Sequence, residues 1–247
     1  MIWIVYWLIM GLSYHIFAYY YKQLIPVSFY RQYKNRVDEL GQFKNILDLG
    51  CGSGTLCELL KRADNTVTGL DLSEEMLMMA QDENRRRHLG IEYLKQDLNE
   101  LRLHKHSYDL ILCTLDTLNY LDTQEGLEHV FAQVSVALSK NGYFIFDVLT
   151  EHYFTKVVAE YYQSEELSDF TYEWYVKLVA ANIIKHDLII ETATELFKEE
   201  HYQYLYKPEV LVELLSKHHL LIEKMAEEYN ELDDRLPSRL YYYVRSV

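Results

Sequence analysis

The chain has 247 residues, of which 49% are hydrophobic, and this content is enough for the core of one domain with an inserted lid. Its formal net charge of −14 argues against a protein whose binding depends on neutralising many phosphate groups. The three unevenly spaced cysteines form neither a disulfide framework nor a zinc pattern. We therefore expect free thiols in a reducing cytoplasm, and no metal site is predicted.

An apolar segment, residues 1–13, opens the chain, and no charged residue precedes Lys22. Its length alone would permit a membrane span, which needs about 20 residues, but the second half of that length carries Ser13, Tyr14, His15 and three consecutive tyrosines. The basic region and cleavage site of a secretory signal are missing. We expect an extension upstream of the natural domain, with Met10 as an alternative start. Membrane attachment would require this leader to be native. Residues 14–40 are predicted to form a helical cap.

The stretch Ile46–Gly54 is an apolar run with one carboxylate, Asp48, and it ends in three glycines at alternate positions. Residues 55–60 then have the pattern of a helix start. A buried strand that turns sharply into a helix opens a doubly wound α/β domain. Glycine allows the backbone angles of such a turn and lets a ligand approach the main chain. The third glycine comes one residue earlier than in a dinucleotide fingerprint.

A second strand, Val67–Asp71, ends in an acid that follows Gly50 by 21 residues. This is close to the offset at which α/β nucleotide sites place the carboxylate that accepts the ribose hydroxyls. Ser73 and two glutamates are typical of a helix start, and we expect that helix to stop at Gly90. An acid at a strand end is equally typical of a plain turn. Its spacing from the glycine loop favours a cofactor site.

These motifs resemble the D-x-G-x-G-x-G strand and loop of class I S-adenosylmethionine-dependent methyltransferases. The resemblance implies a cofactor with an ammonium, a sulfonium and an adenosine, beside which a carboxylate is favourable. It also implies that Asp97, after the third strand, accepts the adenine amino group and that the N–H of Leu98 meets the ring. Alternatively, Asp97 is an ordinary turn residue that does not contact the cofactor.

The aromatic segment Phe17–Ile25 is similar to the F-A-x-x-Y-D-x-L-M pattern of small-molecule methyltransferases. Tyr21 takes the position that lies against the methionine moiety, and Lys22 replaces the usual aspartate. Aromatic packing of a helix over the domain explains the segment equally well. The cofactor-binding residues implied by the resemblance are Tyr21, Asp48, Gly50, Cys51, Gly52, Gly54, Asp71, Leu72, Met76, Asp97, Leu98 and Cys113.

The fourth strand, Asp109–Thr114, is followed by Leu115–Leu121, which resembles the D-S-L-N-Y-L segment of the YqeM-like group of methyltransferase-domain proteins. Ligands of open α/β sheets bind beyond the carboxyl ends of the strands. Asp116, Asn119 and Tyr120 are therefore predicted to face the methyl group as catalytic residues. Alternatively, Asp116 caps the next helix and Asn119 forms hydrogen bonds with main-chain groups. The stretch lacks the Pro-Pro-Tyr and Pro-Cys signatures of enzymes that methylate nucleic-acid bases.

Strand–helix alternation continues through an amphipathic helix over 127–138 and, after a turn at Asn141–Gly142, a fifth strand over 143–148. This alternation predicts a parallel sheet. A helix from Pro208 and strands at 220–225 and 239–245 resemble the hairpin that closes the family's seven-stranded, Rossmann-like sheet. We therefore predict an α/β core over 41–150, which residues 207–247 complete.

Between these parts, residues 151–206 contain three β-rich runs with partial period-two alternation, over 170–179, 182–191 and 194–204. They predict an antiparallel lid inserted after the fifth strand. Trp174, His201 and Tyr204 are predicted to line an acceptor pocket. A single histidine such as His201 is also typical of a purely structural position.

The resemblance implies in-line displacement at the sulfonium methyl, for which the protein supplies alignment and exclusion of water. A base is needed only where the acceptor must first lose a proton. We predict a small-molecule acceptor and a monomer or homodimer. A methyltransferase acting on RNA or protein, with Arg31, Lys34 and Arg36 as its basic residues, remains an alternative. A non-catalytic module that only binds the cofactor is another.

Overall fold

The computed structural model describes residues 20, 25–158, 160–229 and 235–246. The apolar leader and Tyr21 lie outside these ranges, so the predictions made for them stay predictions. Within the described ranges, no helix is long and apolar enough to cross a membrane.

The described chain forms eleven strands and five α-helices, together with short 3-10 turns after β3 and β4. The helices are α1 Val27–Asp38, α2 Thr55–Leu60, α3 Glu74–Arg87, α4 Gln124–Ala137 and α5 Pro208–Lys217. The strands are β1 Asn45–Leu49, β2 Thr66–Asp71, β3 Glu92–Lys95, β4 Tyr108–Cys113, β5 Leu138–Leu149, β6 Glu160–Glu166, β7 Phe170–Ala180, β8 Ile183–Thr192, β9 Leu196–Tyr204, β10 Leu220–Glu228 and β11 Arg239–Ser246.

Seven of these strands form one sheet in the order β3-β2-β1-β4-β5-β11-β10. The first five are parallel, and β11 runs antiparallel to both of its neighbours. The strand order reverses between β1 and β4, and such a switch point opens a crevice at the carboxyl edge of the sheet. The predicted Rossmann-like fold is confirmed.

Each face of this sheet carries its own hydrophobic core, because side chains alternate across a strand. Leu47 and Leu49 of β1 point to one core, where Phe131 of α4 and Phe146 of β5 also lie. Ile46 points to the other core, to which Tyr33 and Val37 of α1 also belong. A sheet buried on both faces is rigid, and it presents its ligand site only at the edge.

The remaining strands form a separate antiparallel sheet in the order β6-β7-β8-β9, which is the predicted lid. Strand β6 was not predicted, because its run Glu160–Glu166 is polar and tyrosine-rich and lacks an apolar alternation. The turn predicted at Asn141–Gly142 is wrong. Both residues belong to β5, where Asn141 has φ 64° beside an irregularity in the β4–β5 pairing. In α3, the left-handed residue that ends the helix is His88 and not Gly90.

Candidate cofactor and acceptor site

The glycine loop lies between β1 and α2, and its three glycines have φ values of 73°, 52° and 79°. All three are in the left-handed region that side chains disfavour. A Cβ on Gly50 would overlap Thr117, in the turn after β4, and a Cβ on Gly54 would overlap the hydroxyl of Tyr93. At Gly52, a Cβ would meet nothing within 4 Å. Glycine is therefore required at positions 50 and 54 because neighbouring side chains pack against them. At Gly52 the space that a side chain would occupy is empty.

Asp71 closes β2 and connects the glycine loop to the start of α3. Its Oδ2 accepts the N–H of Gly52 at 2.7 Å, and its Oδ1 accepts the N–H of Ser73 at 2.9 Å. Burial raises the pKa of Asp71, and the main-chain donors oppose that shift. Ser73 caps α3 by accepting the N–H of Met76 at 3.2 Å, as expected. The acid and the loop predicted to act together are thus in direct contact.

Asp48 is buried beneath this loop with 2% of its surface exposed. Its Oδ2 accepts a hydrogen bond from the Cys57 thiol at 3.4 Å, and its Oδ1 has no partner among the described residues. Burial raises the pKa of Asp48 to about 7, the Cys57 hydrogen bond opposes this shift and the charge of Asp71 adds to it. A buried carboxylate oxygen without a donor, on the strand that leads into the glycine loop, fits a site for a cofactor that carries positive charge.

The remaining predicted cofactor residues lie at the same edge with different exposures. Asp97 caps the 3-10 turn that follows β3 by accepting the N–H of Asn99 at 2.8 Å, which is the ordinary turn role. Leu72 is 61% exposed, and the side chain of Cys113 is fully buried in the core. Only the main chain of Cys113 can therefore line a site at the strand end. The others divide into buried Cys51 and partly buried Met76 and Leu98.

The turn after β4 has two consecutive left-handed residues, Leu115 with φ 60° and Asp116 with φ 52°. Asp147 of β5 holds both, because its carboxylate accepts the N–H of Leu115 and that of Asp116, each at 2.9 Å. Arg239 of β11 forms ion pairs with Asp147 and, at 2.7 Å, with Asp116. Sequence reasoning missed Asp147 and Arg239. The sequence signal that could have identified Asp147 is a single acid near the end of an apolar strand, as for Asp48 in β1.

The side chain of Asn119 lies inside the protein. It is fully buried. Its Nδ2 donates to the carbonyl of Tyr204 at 2.8 Å, and its Oδ1 accepts the N–H of Leu149 at 3.0 Å. Both ends of the amide are engaged in tying β5 to β9, and this backbone tie is the alternative to a catalytic role for Asn119. Tyr120 beside it is 45% exposed.

The inner face of the lid meets this turn through β9. The ring of His201 packs edge-on against Tyr120, with centroids 6.1 Å apart, and its Nε2 lies 3.2 Å from Oε1 of Glu199. Burial lowers the pKa of His201 to about 4 and raises the pKa of Glu199 to about 7. Burial therefore favours a neutral O–H···N hydrogen bond over an ion pair here.

Deeper in the lid, Trp174 donates to Nδ1 of His186 at 3.1 Å, and Nε2 of His186 lies 3.0 Å from Oε1 of Gln203. Gln203 in turn donates to Asp116. Trp174 is thus held by a polar contact within the lid, and Tyr204 contributes its carbonyl to Asn119. His186 and Gln203 were not predicted, because nothing in a polar–apolar β pattern distinguishes a buried polar pair.

A parallel sheet with its switch point beside a three-glycine loop, and an acid of the next strand hydrogen-bonded to that loop, are features of the class I methyltransferase fold. The chain is an S-adenosylmethionine-dependent methyltransferase, and S-adenosylmethionine is its cofactor. Residues 46–142 match a family model described as a methyltransferase domain.

Among curated proteins, the chain is similar to YqeM of Bacillus subtilis strain 168, which is provisionally named a methyltransferase. The two are 26% identical over 236 residues, which cover 93% of this chain and 95% of YqeM. A protein of Geobacillus sp. strain WCH70, also provisionally named a methyltransferase, is 28% identical over 203 residues, which cover 79% of this chain and 82% of that protein.

Solved structures agree with this assignment. A S-adenosylmethionine-dependent methyltransferase from Clostridium acetobutylicum ATCC 824 matches with a TM-score of 0.80 and 26% identity, over 94% of this chain and 98% of that one. CalS10 of Micromonospora echinaspora, an amino pentose methyltransferase with S-adenosylmethionine bound, shares the fold with a TM-score of 0.61 and 17% identity, over 100% and 97% of the two chains.

Proposed function

We propose that this protein transfers the methyl group of S-adenosylmethionine to a small-molecule acceptor by in-line displacement. The observation that supports this is the lid strand β9, which is hydrogen-bonded to the turn after β4 through Asn119 and through Asp116. The lid therefore covers the turn on which the acceptor contacts are proposed. A lid held over the site in this way favours a small molecule over an RNA helix or a folded protein surface.

Each cofactor residue has a proposed role. Asp71 accepts the ribose hydroxyls, Gly52 gives the methionine part room, and Asp48 supplies negative charge near the ammonium. The adenine is bounded by Leu72, Met76, Asp97 and Leu98. Gly50, Cys51, Gly54 and the main chain at Cys113 shape the floor of the site, and Tyr21 is proposed to cover it.

The proposed acceptor contacts are Asp116, Tyr120, Trp174, His201 and Tyr204. Because the sulfonium already activates the methyl carbon, alignment and exclusion of water are the main contributions required of these residues. The names of related proteins point to acceptors of different kinds. CalS10 is named for an amino pentose, and a 28% identical protein of Hydrogenovibrio crunogenus is named an O-methyltransferase of ubiquinone biosynthesis.

Calorimetric titration of S-adenosylmethionine and S-adenosylhomocysteine tests the cofactor half of this proposal. We expect tight binding to the wild type and at least a ten-fold loss in Asp71→Ala, because the two ribose hydrogen bonds to a charged acceptor disappear. Asp71→Asn keeps the shape and covers the case in which the alanine variant fails to fold. Asp122→Ala removes an exposed carboxylate and serves as the control.

The acceptor half is tested by incubating the protein with methyl-labelled cofactor and a whole-cell extract, which is then separated into small-molecule, RNA and protein fractions. Label transferred to an extractable small molecule, and absent with Asp71→Ala, supports the proposal. Label found only in RNA or protein would assign the acceptor to another class. Binding of the cofactor with no transfer to any fraction would favour the non-catalytic module.

A further inference from the structure

A buried polar network runs from the lid to the turn after β4, which packs on the cofactor loop, and the roles proposed above do not explain it. Its first part is Asp147, whose two carboxylate oxygens each accept one main-chain N–H of the left-handed turn at Leu115 and Asp116. Asp147 has no exposed surface, and Arg239 is 9% exposed. Two adjacent left-handed residues with side chains persist only where the surroundings hold them.

This turn is in direct contact with the cofactor loop. Thr117 follows Asp116 and occupies the space that a Cβ on Gly50 would need. The hydroxyl of Thr117 donates to the carbonyl of Thr114 at 2.7 Å, which fixes the rotamer that packs on the loop. A shift of the turn therefore changes the position or the freedom of Gly50.

The same turn is connected to the lid. Trp174 donates to Nδ1 of His186, so the proton of this imidazole is on Nε2 and is donated to Oε1 of Gln203. The amide nitrogen of Gln203 is then the group that donates to Asp116. Gln203 is 1% exposed and His186 is 7% exposed, so water does not replace these bonds without a lid movement.

We propose that Asp147 and Arg239 are positioning residues for the cofactor, because they hold the turn after β4 against Gly50. Through Gln203 and His186, the position of this turn also depends on the lid. Lid closure and cofactor binding are then coupled, because each stabilises the arrangement of Asp116 that the other requires. The proposal rests on the cofactor site described above. Binding of S-adenosylhomocysteine to the wild type is therefore established first.

The decisive variant is Gln203→Glu, which keeps the size of the side chain and replaces its donor to Asp116 with a carboxylate. We expect about ten-fold weaker binding of S-adenosylhomocysteine by calorimetry, within the range usual for coupled sites. Glu200→Gln is the matched control. Glu200 lies on the same strand, is exposed and pairs with Lys185 at 2.6 Å, so its loss is expected to leave the affinity unchanged.

The exchange variant D116N/Q203E restores the bond with donor and acceptor reversed, while the amide oxygen at position 116 still accepts from Arg239. We expect its affinity to return to within about three-fold of the wild type. This variant also covers the case in which Gln203→Glu alone fails to fold. An affinity of Gln203→Glu equal to that of the wild type, or an exchange variant as weak as the single one, would overturn the proposal.

A second measurement follows the lid itself. In a Trp3→Phe/Trp7→Phe background, Trp174 is the only remaining tryptophan. We expect S-adenosylhomocysteine to change its emission, and we expect that change to disappear in Gln203→Glu at saturating ligand. A residue with a purely structural role would leave the ligand-induced change intact, and that result would contradict the coupling.

Discussion

The buried carboxyl of Asp48 makes the stability of the protein depend on pH. The pKa of Asp48 is raised to about 7, chiefly by burial, whereas an aspartate in an unfolded chain has a pKa near ~3.9. The unfolded chain therefore releases this proton more readily, and the folded state loses stability as pH rises from about 4 to about 7. This cost is an expected feature of a site made to receive a positive ligand.

Asp48→Asn is predicted to remove that loss. The free energy of unfolding of the variant, minus that of the wild type, should rise by about 2–4 kcal/mol between pH 4 and pH 7 and then level off. Urea unfolding at a series of pH values measures this difference. Asp122→Asn removes an exposed carboxylate and should give a flat difference. If the difference in the free energy of unfolding for Asp48→Asn is also independent of pH, burial does not raise the pKa of Asp48.

The glycines of the cofactor loop have different tasks, and this gives a matched pair of substitutions. Gly50→Ala combines a left-handed φ of 73° with an overlap at Thr117, so we predict a loss of about 3 kcal/mol in the free energy of unfolding. Gly52→Ala has φ 52° and open space, so about 1 kcal/mol is expected.

Cofactor affinity should give a second contrast for the same pair. Gly52→Ala is expected to stay folded and yet lose binding of S-adenosylhomocysteine, because its methyl group occupies the space left for the ligand. Thermal unfolding and calorimetry on the same samples measure both effects. If Gly52→Ala binds like the wild type, the ligand does not approach the loop at this residue.

At the scale of elements, most of the fold follows from local sequence signals. The parallel strands are short apolar runs, α3 starts at a serine cap, and α5 starts with a proline, so each element is specified by residues within a few positions. The exceptions are instructive. Strand β6 is recruited by pairing with β7 despite a polar sequence. The Asn141–Gly142 pair lies within β5, at an irregularity of the β4–β5 pairing and before the residues that pair with β11.

The acceptor side of the site was harder to predict because it is built from long-range pairings. Arg239 reaches Asp147, 92 residues earlier, only because β11 pairs antiparallel with β5 in one register. Gln203 reaches Asp116 across 87 residues through the docking of the lid. In contrast, the contact between Asp71 and Gly52 spans only 19 residues within one strand–helix–strand unit, and its spacing is visible in the sequence.

Asn119 holds two elements together, and its removal should therefore loosen the lid. Asn119→Ala removes the hydrogen bond to the carbonyl of Tyr204 and the buried hydrogen bond from the N–H of Leu149, so we predict a loss of about 2–4 kcal/mol in the free energy of unfolding. Limited proteolysis should cut first within residues 160–204. Gln124→Ala, which removes an exposed amide, is the control. Unchanged stability would mean that the tie between β5 and β9 is dispensable.

For the whole molecule, charge separates the proposed function from its main alternative. The formal net charge is −14, and an RNA-binding enzyme would need a local basic surface to overcome it. The three basic residues of α1 were the candidates. Lys34 pairs with Asp38, and the guanidinium of Arg36 stacks 3.8 Å from the Tyr241 ring centroid. At least two of the three are thus engaged within the protein.

We therefore predict no measurable binding of short single-stranded or duplex RNA at about 50 µM protein and physiological salt, measured by fluorescence anisotropy. Proteins that hold RNA through phosphate contacts bind it non-specifically with dissociation constants of roughly 10⁻⁴–10⁻⁶ M, and binding strengthens as salt falls. A repeat at low salt with Arg31→Ala distinguishes weak specific contact from none. Binding that strengthens as salt falls and is lost in Arg31→Ala would place a nucleic-acid contact on α1. The net charge of the protein would then no longer favour a small-molecule acceptor over RNA.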